Sequence, residues 1–97
     1  MATYVTLLKF TERGAKDIQD SCKRAADFRT HSNKHRVEVK EQYWCMGAYD
    51  GVIVFEAADD ETASAAMASL SSRGNVTTQT LRSFSAGEMT KILANVL

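Results

Sequence analysis

The sequence predicts an α+β domain of the ferredoxin-like β-α-β-β-α-β order, with a four-stranded antiparallel sheet and an added C-terminal helix. Four strand-like segments are interrupted by two segments of helical spacing, which is the order of a split β-α-β unit. The first and third strand segments are apolar on both faces, as central strands are. A chain of 97 residues suits one domain, which we expect to span residues 1–97.

The first strand is predicted at Tyr4–Phe10, where side chains alternate with the β period. Thr11 offers an N-cap for a helix that runs from about residue 12 to residue 30. The segment 31–35 has weak helix propensity and is predicted to be a loop. The buried stripe of the helix is expected to consist of Ala15, Ile18, Cys22, Ala25 and Phe28.

The second strand is predicted at residues 36–46, which alternate between apolar and polar side chains. One face is expected to carry Val37, Val39, Tyr43 and Cys45, and the other Glu38, Lys40 and Gln42. Residues 52–57 follow as the doubly apolar third strand. Three carboxylates at 59–61 favour a helix N-terminus, and Gly74 is suited to the C′ position of that helix.

The last strand and the final helix are predicted from residue 76 onwards. Residues 76–84 are rich in threonine and favour a strand. Ser85 and Glu88 have the spacing of a capping box. The apolar stripe of the final helix is formed by Met89, Ile92, Leu93 and Val96.

The predicted topology leaves one apolar sheet face uncovered, because both crossover helices lie on the same face. An apolar surface of that size usually marks an interaction site. We therefore expect a homodimer or higher homo-oligomer, in which two sheets pack face to face as a dimeric α/β barrel. The C-terminal helix would cover a sheet edge or reach onto the partner.

Several segments resemble the GYD-domain family, small bacterial proteins of unestablished function. They are residues 4–11, Lys23-Arg24-Ala25, residues 43–56 and residues 74–82. The resemblance spans nearly the whole chain and implies the dimeric α/β barrel fold, but no activity. Residues 30–36 depart from the family pattern by carrying two histidines and an asparagine.

Composition excludes several classes of function. Twelve basic residues balance twelve acidic ones, so no nucleic-acid-binding face is expected. No apolar run of about eighteen residues and no secretory signal are visible, which predicts a cytoplasmic protein without a membrane span. The two cysteines are expected to be reduced, with Cys22 buried on the helix.

No metal or cofactor is expected. Phosphate-binding and dinucleotide-binding motifs are missing from the sequence. His31 and His35 have the i, i+4 spacing of zinc ligands but lack the further ligands that zinc needs.

The turn around Gly47, Tyr49, Asp50 and Gly51 has two interpretations. Glycines permit positive φ and Asp50 can bond the backbone, which is typical of a structural turn. Alternatively, the turn lies at the mouth of the barrel and presents Asp50 and backbone N–H groups to a ligand. The similar Gly-x-x-Asp turn in effector-binding domains of the leucine-responsive regulator family favours a ligand.

Three aromatic side chains and one arginine form a second candidate group: Tyr4, Tyr43, Trp44 and Arg82. Strand aromatics usually belong to the core or to a dimer interface. On the inner face of the barrel they would instead line an apolar pocket with polar handles. Arg82 would then hold an anion, or pair with Glu41 or Glu56.

The main hypothesis is a homodimeric small-molecule-binding module with its pocket at the sheet–sheet barrel. Its candidate ligand-binding residues are Tyr4, Tyr43, Trp44, Gly47, Tyr49, Asp50 and Arg82. One alternative is a cofactor-free enzyme, of the monooxygenase or isomerase type, acting on a small aromatic or lactone-like compound. That alternative requires Asp50, His31 or His35 in the cavity with a perturbed pKa. The other alternative is a purely structural, oligomer-forming domain.

Overall fold

The computed structural model describes residues 1–97 and confirms the predicted order of elements. They are β1 (Ala2–Phe10), α1 (Glu12–Lys16), α2 (Ser21–Lys34), β2 (Val37–Trp44), β3 (Gly51–Ala57), α3 (Asp60–Ser72), β4 (Val76–Ser83) and α4 (Ala86–Leu93). The strands form one antiparallel sheet in the order β2-β3-β1-β4. The two doubly apolar strands, β1 and β3, are therefore central, as predicted.

The hydrophobic core lies between the sheet and the helices α2 and α3. Its nine buried apolar residues are Tyr4, Phe28, Val37, Val39, Ile53, Phe55, Ala57, Ala63 and Met67. The rings of Tyr4 and Phe55 stack with their centroids 5.2 Å apart. The Tyr4 hydroxyl donates a hydrogen bond to Asp60 Oδ1 at 2.5 Å, and this bond, together with burial, raises the pKa of Tyr4. The contact fixes the start of α3 against β1.

The first predicted helix is broken, which corrects the expected buried stripe. A 3-10 turn at Ile18–Asp20 separates α1 from α2. Ala15, Ile18 and Cys22 are exposed, whereas Phe28 is buried as predicted. Ala25, the remaining member of the stripe, is half-buried.

The break follows from the way α1 packs against the start of β4. The Thr11 N–H donates to the Asn75 carbonyl at 3.0 Å, and the Thr11 hydroxyl donates to the Gly74 carbonyl at 2.7 Å. A Cβ on Gly14 would lie 1.9 Å from the Asn75 oxygen. These local contacts set the direction of α1, whereas the sheet sets that of α2. Gly74 itself has the positive φ of 82° expected at C′.

The loop prediction for residues 31–35 is wrong, because α2 continues to Lys34. Phe28 and Ser32, one helical turn apart, are both buried, and tertiary packing of this face outweighs the weak local propensity. His31 therefore belongs to the helix and His35 is its C-cap, with the two imidazole centroids 4.4 Å apart. Arg36, which has a φ of 63°, lies directly before β2.

A β-bulge at Lys40 corrects the face assignment of β2. Val39 lies opposite Phe55 but Glu41 lies opposite Val54, so one residue is inserted between them. An inserted residue reverses the side-chain alternation beyond it. Val37 and Val39 face the helices, whereas Tyr43 lies on the other face of the sheet, and Cys45 follows the end of the strand.

The C-terminal helix begins with the predicted capping box. The Ser85 N–H donates to Glu88 Oε1 at 2.9 Å, and the Glu88 N–H donates to Ser85 Oγ at 3.2 Å.

The predicted apolar stripe of α4 and the residues after it is exposed. The radius of gyration is 14.5 Å, against about 12.5 Å expected for a compact domain of this length. None of the helices is long and apolar enough to cross a membrane.

Candidate functional site

The sheet surface turned away from α2 and α3, here the open face, is an apolar surface outside the core. It is formed by Val5, Leu7, Tyr43, Val52, Val54 and Leu81. Strand pairing places Val54 and Leu81 on either side of Val5, and Val52 beside Leu7. The four residues from the central strands are half-buried, whereas Tyr43 and Leu81 at the flanks are 56% and 44% exposed. These six side chains form one continuous patch across all four strands.

Charged residues mark the two ends of the open face. Glu38 and Glu56 are direct cross-strand neighbours at one end, and Lys9 lies at the other. Like charges placed directly opposite each other destabilise a strand pair. Lys40 at the bulge lies 2.9 Å from Glu38, and this hydrogen bond raises the pKa of Lys40.

Two of the predicted site tyrosines reach the open face. The Tyr49 hydroxyl, from the loop between β2 and β3, donates to Gln79 Oε1 at 3.0 Å. The Tyr43 hydroxyl donates to Glu41 Oε2 at 2.9 Å, and this bond raises the pKa of Tyr43. Gly47, in the same loop, has a φ of 112° that suits glycine.

Asp50 closes the loop against β1. Its carboxylate accepts a hydrogen bond from the Phe10 N–H at 2.8 Å. Its own N–H donates to the Leu8 carbonyl at 2.7 Å, and its carbonyl accepts from the Cys45 N–H at 2.8 Å. These three bonds match the structural interpretation of the turn, because they continue the hydrogen bonding of the sheet to the residue before the start of β3.

The strand register places the side chains of Tyr4, Trp44 and Arg82 on the helix side of the sheet and that of Tyr43 on the open face. The Arg82 guanidinium carbon lies 5.6 Å from the Tyr4 ring centroid and 4.5 Å from that of Phe84. Its carboxylate neighbour is Glu88, at 3.9 Å, rather than Glu41 or Glu56. The proposed aromatic group is thereby divided between two sides of the sheet.

A cavity of about 90 Å³ lies beneath the N-terminal half of α2, here the α2 cavity. Its walls are mainly apolar, and Tyr43, Trp44 and Asp50 are the predicted site residues that line it. The Trp44 indole N–H donates to Ser21 Oγ at 3.2 Å and links the end of β2 to the start of α2.

Arg24 also lines the α2 cavity, and the sequence analysis did not single it out as a site residue. The sequence feature that could have identified Arg24 is its position four residues before Phe28, which places both residues on one face of the helix.

His31 and His35 line a different groove, of about 480 Å³, between α2 and α3. Ser32 and Glu61 line the same groove. The three titratable groups that the enzymatic hypothesis names are thus divided between two concave sites, with Asp50 in the α2 cavity.

Comparison with known proteins gives a family and a named relative. The chain is 33% identical over 90 residues to a Thermus thermophilus protein named "Glutamine synthetase and cystathionine beta-lyase binding protein". The alignment covers 92% of this chain and 95% of that relative. No solved structure matches significantly. The GYD domain model matches residues 4–93, as the resemblance implied, and the chain therefore belongs to the GYD domain family.

Proposed function

We propose that this chain is a non-catalytic binding protein, a single GYD-like domain over residues 1–97. Two copies pair through their open faces, and the resulting homodimer binds a metabolic enzyme. The observation that carries the proposal is the open face, a continuous apolar surface with charged ends. Tyr43 and Tyr49 are the ligand-contacting candidates at the mouth of the barrel that this pairing would form.

The solvent-accessible area of the chain supports pairing of two copies. The chain exposes 6558 Å² and buries only 13 of its residues. A compact monomer of this mass exposes about 5,500 Å². The excess, about 1,000 Å², is comparable to the roughly 800 Å² that each partner contributes to a stable interface.

Charge complementarity supports a second copy as the occupant of the open face. Lys40 is paired with Glu38, so Glu56 leaves one end of this surface acidic, whereas Lys9 makes the other end basic. A two-fold axis that lies between the two sheets and runs perpendicular to the strands would bring the basic end of one copy next to the acidic end of the other. Such self-complementarity is what an isologous interface requires.

The relative supports an enzyme as the further partner, because its name describes binding of two metabolic enzymes. We assign this contact to the exposed apolar stripe of α4. Ile92 and Leu93 are 39% and 56% exposed there. Apolar side chains on one face of a helix can bind in a groove of a partner protein.

Two measurements test the proposal. Native mass spectrometry should give a dimer, and a mass released on denaturation would identify a small molecule held between the sheets. Purified glutamine synthetase and cystathionine β-lyase from the organism of this chain should then be titrated by biolayer interferometry.

Matched variants make the titration specific. Ile92→Lys should weaken enzyme binding, whereas Thr90→Lys, on the same helix but outside the stripe, should not. A monomer, or binding of neither enzyme, would contradict the corresponding part of the proposal.

The two cysteines support a reducing compartment. Cys22 and Cys45 are both exposed and unpaired, and exposed thiols persist where glutathione and thioredoxin keep them reduced. We accordingly propose a cytoplasmic location.

A further inference from the structure

We propose that His31 and His35 together bind a divalent transition metal ion, Cu²⁺ or, more weakly, Ni²⁺, at the C-terminal end of α2. The site is separate from the open face, from α4 and from the α2 cavity. It would give the protein a metal-binding function that does not depend on the proposed protein contacts.

The length of α2 creates the pair. Because the helix continues to Lys34, His31 lies in its last turn and His35 forms its C-cap. Residues four positions apart are neighbours on one helix face, and here the imidazole centroids lie 4.4 Å apart with their ring planes tilted by 47°. Rings at this separation can each turn one nitrogen towards a common ion, at the usual nitrogen–metal distance of about 2.0–2.1 Å.

Both imidazoles are accessible from solution. His31 and His35 are exposed and line the groove of about 480 Å³ between α2 and α3. The structure gives these two side chains no ion pair and no hydrogen bond, only the contact with each other. A neutral imidazole binds a metal through a nitrogen lone pair. An ion can therefore reach both ligands without displacing a protein contact.

The surroundings of the pair are compatible with a cation. The C-terminal end of a helix carries partial negative charge and favours a cation, and Glu61 of α3 brings a carboxylate to the same groove. Lys34 and Arg36 flank the pair in sequence, but both are exposed and can extend their charges into water. No buried positive charge opposes an ion at this helix end.

The number of ligands decides which metal fits. No group of three His, Cys, Asp or Glu side chains is placed to hold an ion, so the four-ligand site of a structural zinc is not formed. Two imidazoles occupy only part of the coordination of a metal, and water fills the rest. Cu²⁺ and Ni²⁺ accept mixed nitrogen and oxygen ligands in tetragonal geometry, and Cu²⁺ binds most tightly of the divalent first-row ions.

Isothermal titration calorimetry with Cu²⁺, Ni²⁺ and Mg²⁺ tests the site. Cys22 and Cys45 are exposed thiols that can also bind transition metals, so they are first alkylated with iodoacetamide. One Cu²⁺ should bind per chain, at least about ten-fold more tightly than Ni²⁺. Mg²⁺ should give no saturable heat, because it prefers oxygen ligands. Electron paramagnetic resonance of the Cu²⁺ complex should show coupling to imidazole nitrogens.

Two variants locate the ion. His31→Gln and His35→Gln should each weaken Cu²⁺ binding by at least about ten-fold, because each removes one of the two protein ligands. Thr30→Gln is the matched control, since Thr30 is exposed on the same helix and lies outside the pair. That variant should bind Cu²⁺ as the wild-type protein does.

Cu²⁺ binding that survives both histidine substitutions would place the ion elsewhere and overturn the proposal. The absence of saturable Cu²⁺ binding by the wild-type protein would also overturn it, and so would a resonance spectrum without imidazole coupling. Neither of these last two results requires a variant to fold. None of the outcomes affects the dimer or enzyme measurements.

Discussion

The carboxylate of Asp50 accepts the Phe10 backbone N–H at 2.8 Å, which ties the loop before β3 to the last residue of β1. Asp50→Ala should lower the free energy of unfolding by about 1.5–3 kcal/mol, the usual range for a hydrogen bond to a charged group. Asp50→Asn, which keeps an acceptor oxygen, should cost less. Urea unfolding at a fixed protein concentration measures both changes.

Asp27→Ala is the matched control, because Asp27 is exposed on α2. That substitution should change the free energy of unfolding by no more than about 0.5 kcal/mol. If Asp50→Ala were as stable as the control, the loop would not depend on this hydrogen bond.

Gly14 and Gly87 should respond oppositely to the same substitution. A Cβ at Gly14 would lie 1.9 Å from the Asn75 backbone oxygen, so Gly14→Ala forces α1 away from β4. We expect a loss of about 1–3 kcal/mol in the free energy of unfolding. At Gly87 the nearest atom lies 3.9 Å away, and alanine there should stabilise α4 by roughly 0.5–1 kcal/mol. Thermal unfolding of the two variants tests the contrast, which similar melting temperatures would contradict.

Val54→Lys should convert the proposed dimer into a folded monomer. Val54 pairs with Val5 at the centre of the open face, where a paired sheet would bury an uncompensated ammonium group. Size-exclusion chromatography with light scattering gives the mass, and circular dichroism verifies the fold. Ser64→Lys, on the exposed side of α3, should remain dimeric. A dimeric Val54→Lys protein would place the interface elsewhere.

The first turn of α4 should depend on pH through Glu88. The hydrogen bond from the Ser85 N–H lowers the pKa of Glu88 below its ordinary value of 4.5. The ionised carboxylate therefore stabilises the capping box fully above pH 4.5, and this stabilisation is lost as the pH falls through the lowered pKa.

Carbon-detected NMR titration should follow this loss in the Glu88 carboxyl shift and in the Cα shifts of residues 86–89. Glu88→Gln should remove the pH dependence of those Cα shifts. An unchanged first turn at pH values below the measured pKa would show that the carboxylate does not support the helix.

Local patterns predicted the elements and their order well. Apolar residues on both faces identified β1 and β3 as central, and the Ser85–Glu88 spacing identified the capping box. These features depend on residues that are close in the sequence. Their physical causes can be recognised without knowing the tertiary structure.

The features that the sequence did not reveal depend on contacts between distant residues. The break before α2 is linked to the approach of Gly14 to Asn75, and the bulge at Lys40 is defined only by pairing with β3. The positions of the candidate site residues depend on such contacts as well. Reversed alternation placed Tyr43 on the open face, and the broken helix left the cavity in which Arg24 lies.

The bulge at Lys40 also divides β2 into a part whose side chains are held by the core and a part whose side chains are free to vary. Before it, Val37 and Val39 are fully enclosed by the chain's own core, so substitutions there cost stability. Beyond it, Tyr43 is displayed on the outer surface and can change without disturbing that core. In the proposed dimer, changes at this position would alter which copies recognise one another while the fold stays the same, and paralogues in one cell could avoid mixed assemblies by diverging there.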